Sequence, residues 1–485
     1  MSGLGHSGSG GDPRSLESRR AAALERLMPV GQDHVLAFWD RLDGAARESL
    51  LAQVDSLPLD LVDREARAVR AGRASADSVP PDLAPAPVLR RGDIDVAHWS
   101  AAGERAIRAG RVACFTVAGG QGTRLGWDGP KGIFPATPLS AKPLFQVFAE
   151  AIAAARARYG AMVRWYIMTS PLNDAQTREF FASRSWFGLG IDTVTLIPQG
   201  TLPSLSRDGR MLLSSPSVIA VNPDGHGGAV RALRDSGALA QMRREGIDTL
   251  SMFQVDNPLV RVVDPLFIGL HAGHPASSAE ASSKVVPKRN AAEKVGVFCA
   301  SGGRTMVVEY SDLPAGLASS AHADGSLRFN AGSIAIHAFG VPFLERIAQG
   351  AGALPLHHAA KKVRHVSVPE GEPVDPTSPN AVKLETFIFD AVPLATKALV
   401  LETDRDEEFA PIKNAEGEDS PASSRTAQLE RAARWLESRG TRVARDASGA
   451  LRCEIEISPL TACDAGEIPA RLIPREVSEG QTVMM

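Results

Sequence analysis

The chain has 485 residues, room for roughly three structural units at about 150 residues each, or two with insertions, which excludes a single small module. Apolar residues make up 44% and charged residues 22%, a globular composition that excludes wholesale disorder. Lys plus Arg is 53 against 56 Asp plus Glu, a net charge of −3; with no basic excess to hold a polyanion, any phosphate it binds must meet locally placed cations, and neither nucleic acid nor membrane is expected as a partner.

Residues 1–13 are a Gly/Ser-rich stretch without the apolar core of a signal peptide, expected to be a disordered tail. From 14 to about 70, apolar residues at helical spacing (Leu24, Leu27, Val35, Phe38, Leu42, Leu50, Leu51, Val54) predict a small helical region. The Pro-rich stretch 78–88 cannot continue a helix and reads as its linker, so 14–90 is one N-terminal region.

Strands and helices then alternate. Strands are predicted at 112–119, 163–170, 193–199 and 248–257, and helices at 143–160, 173–184 and 229–246. This alternation argues for an α/β fold with a mostly parallel sheet, helices on both faces, and chemistry at the carboxyl ends of the strands. After residue 264 the segments SKVVPK, KVGVFCA, RTMVVEYS and LRFNAGSIAIHAF read as further strands, an insertion and the far half of the sheet. A catalytic domain is expected over 91–395 and a small C-terminal domain over 396–485, with strand ALVLET, an acidic stretch, helix TAQLERAARWLESRG and a strand pair near 450–457. Four scattered cysteines without CxxC spacing, and no run of eighteen apolar residues, make a cytoplasmic location the expectation.

Only ten of the 53 cations are lysines. Because lysine is a compact point charge and arginine a planar fork, a lysine kept in this arginine-rich background merits attention. One of them, Lys131, lies in the most informative segment, VAGGQGTRLGWDGPKGIFP (117–135), where Gly119, Gly120, Gly122 and three further glycines surround it and Arg124 directly after a buried strand. Glycines there leave backbone N–H groups open to an anion. The spacing is not GxGxxG and no GK[ST] follows, so neither dinucleotide binding nor P-loop chemistry is supported.

GGxGTRLG followed by PKG resembles the nucleotide-binding loop of the UDP-sugar pyrophosphorylases, in particular their UDP-N-acetylhexosamine branch. WYIMTS (165–170), WFGL (186–189), PQG (198–200), PDGHGG (223–228), QVDNPL (254–259), VVEYSDL (307–313), RFNAGSIAIH (328–337), NAVKLETFIFD (380–390) and DEEFAPIKN (406–414) follow in the same order, so the resemblance spans roughly residues 100 to 430. It implies a Rossmann-like nucleotidyltransferase fold, and an enzyme that couples UTP to a sugar 1-phosphate with Mg2+ and releases pyrophosphate. N-acetylglucosamine 1-phosphate is the first expectation and glucose 1-phosphate the alternative.

By the same resemblance, Arg124, Lys131 and Lys383 are catalytic, the last on a helix-like segment. Ala118, Gly119, Gly120, Gly122, Gln199, Gly225 and His226 meet the nucleotide, with the Gln199 amide and the backbone near Ala118 suited to an imide edge. Asp256, Asn257, Gly296, Glu309 and Asn330 face the sugar, Lys413 is a further phosphate contact, and Asp256, at the end of a buried strand, is the carboxylate for magnesium. The DRD at 404–406 formally matches the metal motif of UDP-sugar-dependent glycosyltransferases, a rival that would require an acceptor site, and is discounted. Ser333, His226 and Lys294 stand where the family usually has Asn, Asn and Pro, and they cluster near the expected sugar.

Overall fold

Strand Val112–Val117 is buried along its whole length, and its side chains alternate between two cores. Val112 and Cys114 join one apolar cluster with Trp165, Ile167 and Phe253; Ala113, Phe115 and Val117 join another with Tyr166, Met168 and Met252 on the opposite face. A strand apolar on both faces belongs inside a sheet covered on both sides.

The computed structural model describes residues 15–72, 79–350 and 354–485; the expected tail at 1–13 lies outside them. The described residues form two compact units. The first comprises the described part of 1–76 with 201–225 and 356–385. Its helices Leu16–Leu27, Gly44–Ser56 and Leu59–Arg70 bury Leu27, Leu50, Val54 and Val62 against Leu202, Leu213, Ile219 and Leu384. Buried Gln32 fixes the 206–211 turn, its amide donating to Gly209 O (2.8 Å) and accepting from Met211 N (2.8 Å).

The second unit is built on a ten-stranded sheet. Its strands are β1 (Ala84–Pro85), β2 (Val112–Val117), β3 (Trp165–Thr169), β4 (Val194–Pro198), β5 (Thr249–Gln254), β6 (Ala281–Pro287), β7 (Val297–Ser301), β8 (Arg304–Val308), β9 (Ala331–Gly340) and β10 (Ala398–Glu402). β5, β2, β3 and β4 are consecutive and parallel. β9 runs antiparallel to β5 and β6, and β7 and β8 extend the antiparallel part. The sheet is therefore mixed, with the four parallel strands forming one half and the strand-rich segments after residue 264 the other. β10 pairs in parallel with β6, so the first strand expected in a C-terminal domain completes the main sheet.

The helix expected at 229–246 is two helices, Ala229–Asp235 and Ala238–Arg244, because Gly237 takes a left-handed φ of 77° between them. The C-terminal segment packs Ala433, Trp435, Leu436 and Ile455 into its own cluster and grips the chain just beyond the glycine-rich loop. Buried Glu456 accepts from Leu139 N (2.6 Å), Ser140 N (3.0 Å) and the Ser140 hydroxyl. Gln428 donates to Ala136 O (2.8 Å). All four cysteines are free thiols, and no helix among the described residues is long and apolar enough to cross a membrane.

Two histidines are buried beside β6. Their Nδ1 atoms lie 2.9 Å from Ser282 Oγ (His271) and Ser283 Oγ (His337). Burial pushes His271 down to about 4 and His337 to about 3. Unfolding raises both toward 6.5, so the unfolded chain binds the extra protons: stability is intact above pH 6.5 and is lost as pH falls toward the folded values. At pH 5 each histidine removes about 2 kcal/mol. Urea unfolding is expected to give a stability about 4 kcal/mol lower at pH 5 than at pH 7; equal values at the two pH values would contradict it.

Candidate active site

The glycine-rich loop starts at the carboxyl end of β2 and is held between its neighbours. Ala118 N donates to Met168 O (2.8 Å) and Val255 N to Val117 O (3.1 Å). The loop then folds onto itself, with Gly122 N on Gly129 O (2.9 Å) and Lys131 N on Gly120 O (3.1 Å). Gly119 lies so near Gln199 that a β-carbon there would collide with the Gln199 side-chain oxygen. The loop and the amide expected to read the base are thus in direct contact. Gly132 likewise leaves no room for a side chain beside the Phe145 ring, which fixes the backbone after Lys131. Arg124 rides on a short turn, Thr123–Leu125, and is exposed.

Asn173 holds this loop and was not legible in the sequence. It occupies the N-cap position of helix Asp174–Ser183 without capping it. Its amide donates to Ala118 O (3.0 Å) and Gly120 O (3.4 Å), while its oxygen accepts from Ser170 N (2.8 Å). An Asn at a helix start just past a buried strand was the available signal, and it reads first as a cap.

At the end of β5, Asp256 places its carboxylate 3.7 Å from the Lys131 ammonium, both side chains about one-sixth exposed. The pair is mostly buried yet keeps an opening to solvent on both groups. Ile412 N donates to Asp256 O (2.8 Å), so Lys413 follows directly on the segment bound to Asp256. Its ammonium lies 5.3 Å over the Phe409 ring and 3.6 Å from Asp419. Asn257, expected at the sugar, is buried with its amide bound to backbone: Nδ2 donates to Glu408 O (2.7 Å) and Oδ1 accepts from Ala410 N (3.1 Å). It therefore holds the 408–410 segment, and a direct sugar contact by its side chain is not what this geometry offers. Asp404 of DRD caps helix Arg405–Glu408, accepting from Asp406 N (2.9 Å).

Because β9 runs antiparallel to β5, its first residues lie at the carboxyl edge of the parallel strands. Here Gly296 O accepts from Ser333 N (2.8 Å), and a β-carbon on Gly296 would stand 3.3 Å from Glu309 Oε1. Asn330 O accepts from Lys288 N and Gly332 N (2.9 Å each). The structure thus gathers Gly296, Glu309, Asn330 and Ser333. Lys288 joins them; burial lowers its pKa, opposed by nearby Glu293.

His226 Nδ1 accepts from Ile388 N (3.1 Å), and its ring stacks on Phe387 at 5.2 Å. Phe387 lies in NAVKLETFIFD (380–390), where nothing in the sequence marks it as the partner of His226. Gly225, with φ 84°, lies just beyond strand Val221–Pro223. Lys383 is not on a helix: it lies in strand Ala381–Thr386 of the first unit, in a three-stranded sheet with Leu356–Lys361 and Leu205–Ser206. Ala381, Leu384 and Ile388 mimic helical spacing, but pairing with other strands decides the conformation.

Comparison with known proteins agrees with this architecture. The family model described as UTP–glucose-1-phosphate uridylyltransferase matches residues 86–422. The chain is 38% identical over 464 residues to UDP-N-acetylhexosamine pyrophosphorylase-like protein 1 of Xenopus tropicalis, covering 92% of this chain and 89% of that one. It is 35% identical over 440 residues to UDP-N-acetylglucosamine pyrophosphorylase of Saccharomyces cerevisiae, covering 85% and 90%. The crystal structure of the Trypanosoma brucei UDP-N-acetylglucosamine pyrophosphorylase superposes with a TM-score of 0.80 at 28% identity, covering 98% of this chain and 99% of that one. With matches of this extent, the chain belongs to the UTP–glucose-1-phosphate uridylyltransferase family of UDP-sugar pyrophosphorylases.

Proposed function

We propose that the chain is a uridylyltransferase joining UTP to N-acetylglucosamine 1-phosphate, with UDP-N-acetylglucosamine and pyrophosphate as products. The relatives' names support the substrate, and the observation carrying the chemistry is the Lys131–Asp256 pair beside the glycine-rich loop. In-line attack by the sugar phosphate on the α-phosphorus needs positioning and cancellation of charge rather than a covalent nucleophile. Lys131 and Arg124 are assigned to the triphosphate and the leaving pyrophosphate, and Lys383 and Lys413 to the remaining phosphate charge. Backbone groups at Ala118 to Gly122, with Gln199, receive the uridine; Gly225 and His226 lie at the nucleotide–sugar junction, and Glu309, Asn330 and Gly296 at the sugar.

Magnesium fits Asp256. No group of three or more His, Cys, Asp or Glu side chains among the described residues could hold a metal alone, but magnesium commonly takes one or two carboxylates and completes its shell with water and substrate phosphates. When bound it would neutralise phosphate charge, while Asp256 also orients the Lys131 ammonium.

Lys131→Ala is expected to lower turnover at least about a hundredfold, roughly 2.7 kcal/mol of transition-state stabilisation, with the thermal midpoint unchanged; steady-state rates within about threefold of wild type would refute the leaving-group role. Gly119→Ala, by displacing the Gln199 amide, is expected to raise KM for UTP about tenfold and to erode the preference for UTP over CTP, since a mispaired buried polar group costs about 1–3 kcal/mol. Unchanged UTP and CTP kinetics would count against base reading by Gln199. Across a panel of sugar 1-phosphates, N-acetylglucosamine 1-phosphate should be preferred and glucose 1-phosphate still used, within about a hundredfold, because one altered contact at Ser333 is worth about 1–3 kcal/mol. A ten-thousandfold gap would mean that the pocket actively rejects one sugar.

A further inference from the structure

A second, buried charge cluster shares no hydrogen bond or ion pair with the Asp256 carboxylate among the described residues. Lys284, at the bulge of β6, is 1% exposed. Its ammonium donates to Asp264 Oδ2 (2.6 Å) and to both oxygens of Glu408 (2.7 and 2.6 Å), and it faces the Phe267 ring at 5.2 Å. Thr403 donates to Glu408 Oε1 (2.7 Å). Burial pushes the Asp264 carboxyl up, but Lys284 and Arg261 outweigh it and hold it below the usual carboxylate range. Arg261 is itself paired with Asp464.

The cluster joins two loops that leave the carboxyl edge of the sheet. Asp264 ends the loop after β5, where it caps helix Pro265–Gly273 by accepting from Leu266 N (3.0 Å). Glu408 ends the short helix Arg405–Glu408 that follows β10. A side chain held at both carboxylate oxygens cannot swing, so the Glu408 backbone is fixed as well. That backbone accepts from Asn257, two residues farther along Ala410 N donates back to Asn257, and Ile412 N donates to Asp256 O. Lys284 is thus connected to Asp256 through one side chain and a three-point backbone brace.

We propose that Lys284 is a positioning residue for Asp256, setting where its carboxylate stands relative to Lys131 by fixing the Glu408–Ile412 segment. This rests on the reading of Asp256 as a group that works at the reacting phosphates. A misplacement of about 1 Å can lower a rate about a hundredfold, so the loss should fall on turnover rather than on substrate capture.

The test compares three variants with wild type, counting intact sites by calorimetric binding of UTP and measuring kcat and both KM values. Lys284→Met alone leaves two buried carboxylates with too little positive charge and can fail to fold, so it is paired with Glu408→Gln, which leaves Asp264 to Arg261. Asn257→Ala cuts the brace without touching a charge and decides the matter if the double variant does not fold. Asp256→Asn is the reference. The proposal expects kcat per UTP-binding site to fall tenfold or more in both the double variant and Asn257→Ala, with KM for UTP and for the sugar phosphate within about threefold. It is overturned if kcat per site stays within twofold while Asp256→Asn remains crippled, or if Asn257→Ala chiefly raises KM for the sugar phosphate. Wild-type turnover in Asp256→Asn would instead sink the reading of Asp256 itself.

Discussion

The site depends on the parallel pairing of β2. Hydrogen-bonded along both edges, to β5 and β3, and packed on both faces, this strand delivers the first residues of the glycine-rich loop to a fixed place. The loop needs little rigidity of its own. Its carbonyls at Ala118 and Gly120 are held by Asn173, and its far end returns to Gly120 through the backbone of Lys131. In the proposed role, backbone N–H groups that receive phosphate gain from being fixed before the ligand arrives, because reorganisation at the moment of reaction is then avoided.

Charge follows the same logic at two depths. Near the edge, Lys131 and Asp256 form a pair that keeps some exposure to solvent. Deeper, Lys284 is closed off with two carboxylates at hydrogen-bond distance. A buried ion group of this kind is weak grounds for extra stability, since desolvation offsets much of the attraction. What it supplies is a fixed geometry. In an arginine-rich chain these positions hold lysine, whose point charge can sit among two carboxylates without the room a guanidinium needs.

Much of the fold was legible because its strands are local. The apolar runs at 112–117, 165–169, 194–198 and 249–254 are buried strands in the expected places, and Gly160 ends the long helix as its position suggested. Proximity was legible where a motif marked its residues, since the loop meets Gln199 and the lysine of PKG meets the aspartate of QVDN. It was illegible where a side chain's role is decided by a distant partner. Nothing near Asn257 indicates that its amide is bound to residues 408 and 410, nor that Asn173 turns away from its own helix. Lys383 lies on a strand rather than a helix for the same reason, since apolar spacing in a short segment fits two conformations and the partner strands decide between them. Residues 201–225 and 356–385 group with the N-terminal helices, an arrangement no local pattern announces.

The hold of Glu456 on Leu139 and Ser140 sets an order of events during synthesis. The glycine-rich loop and the strands on either side of it emerge early, yet the carboxylate that fixes the chain just beyond the loop lies 317 residues later than Leu139. A growing chain can therefore present the loop's glycines and cations long before that support exists, and the loop's exit is secured only when the C-terminal segment has folded back onto it. A carboxylate made 317 residues after Leu139 thus secures the exit of the glycine-rich loop.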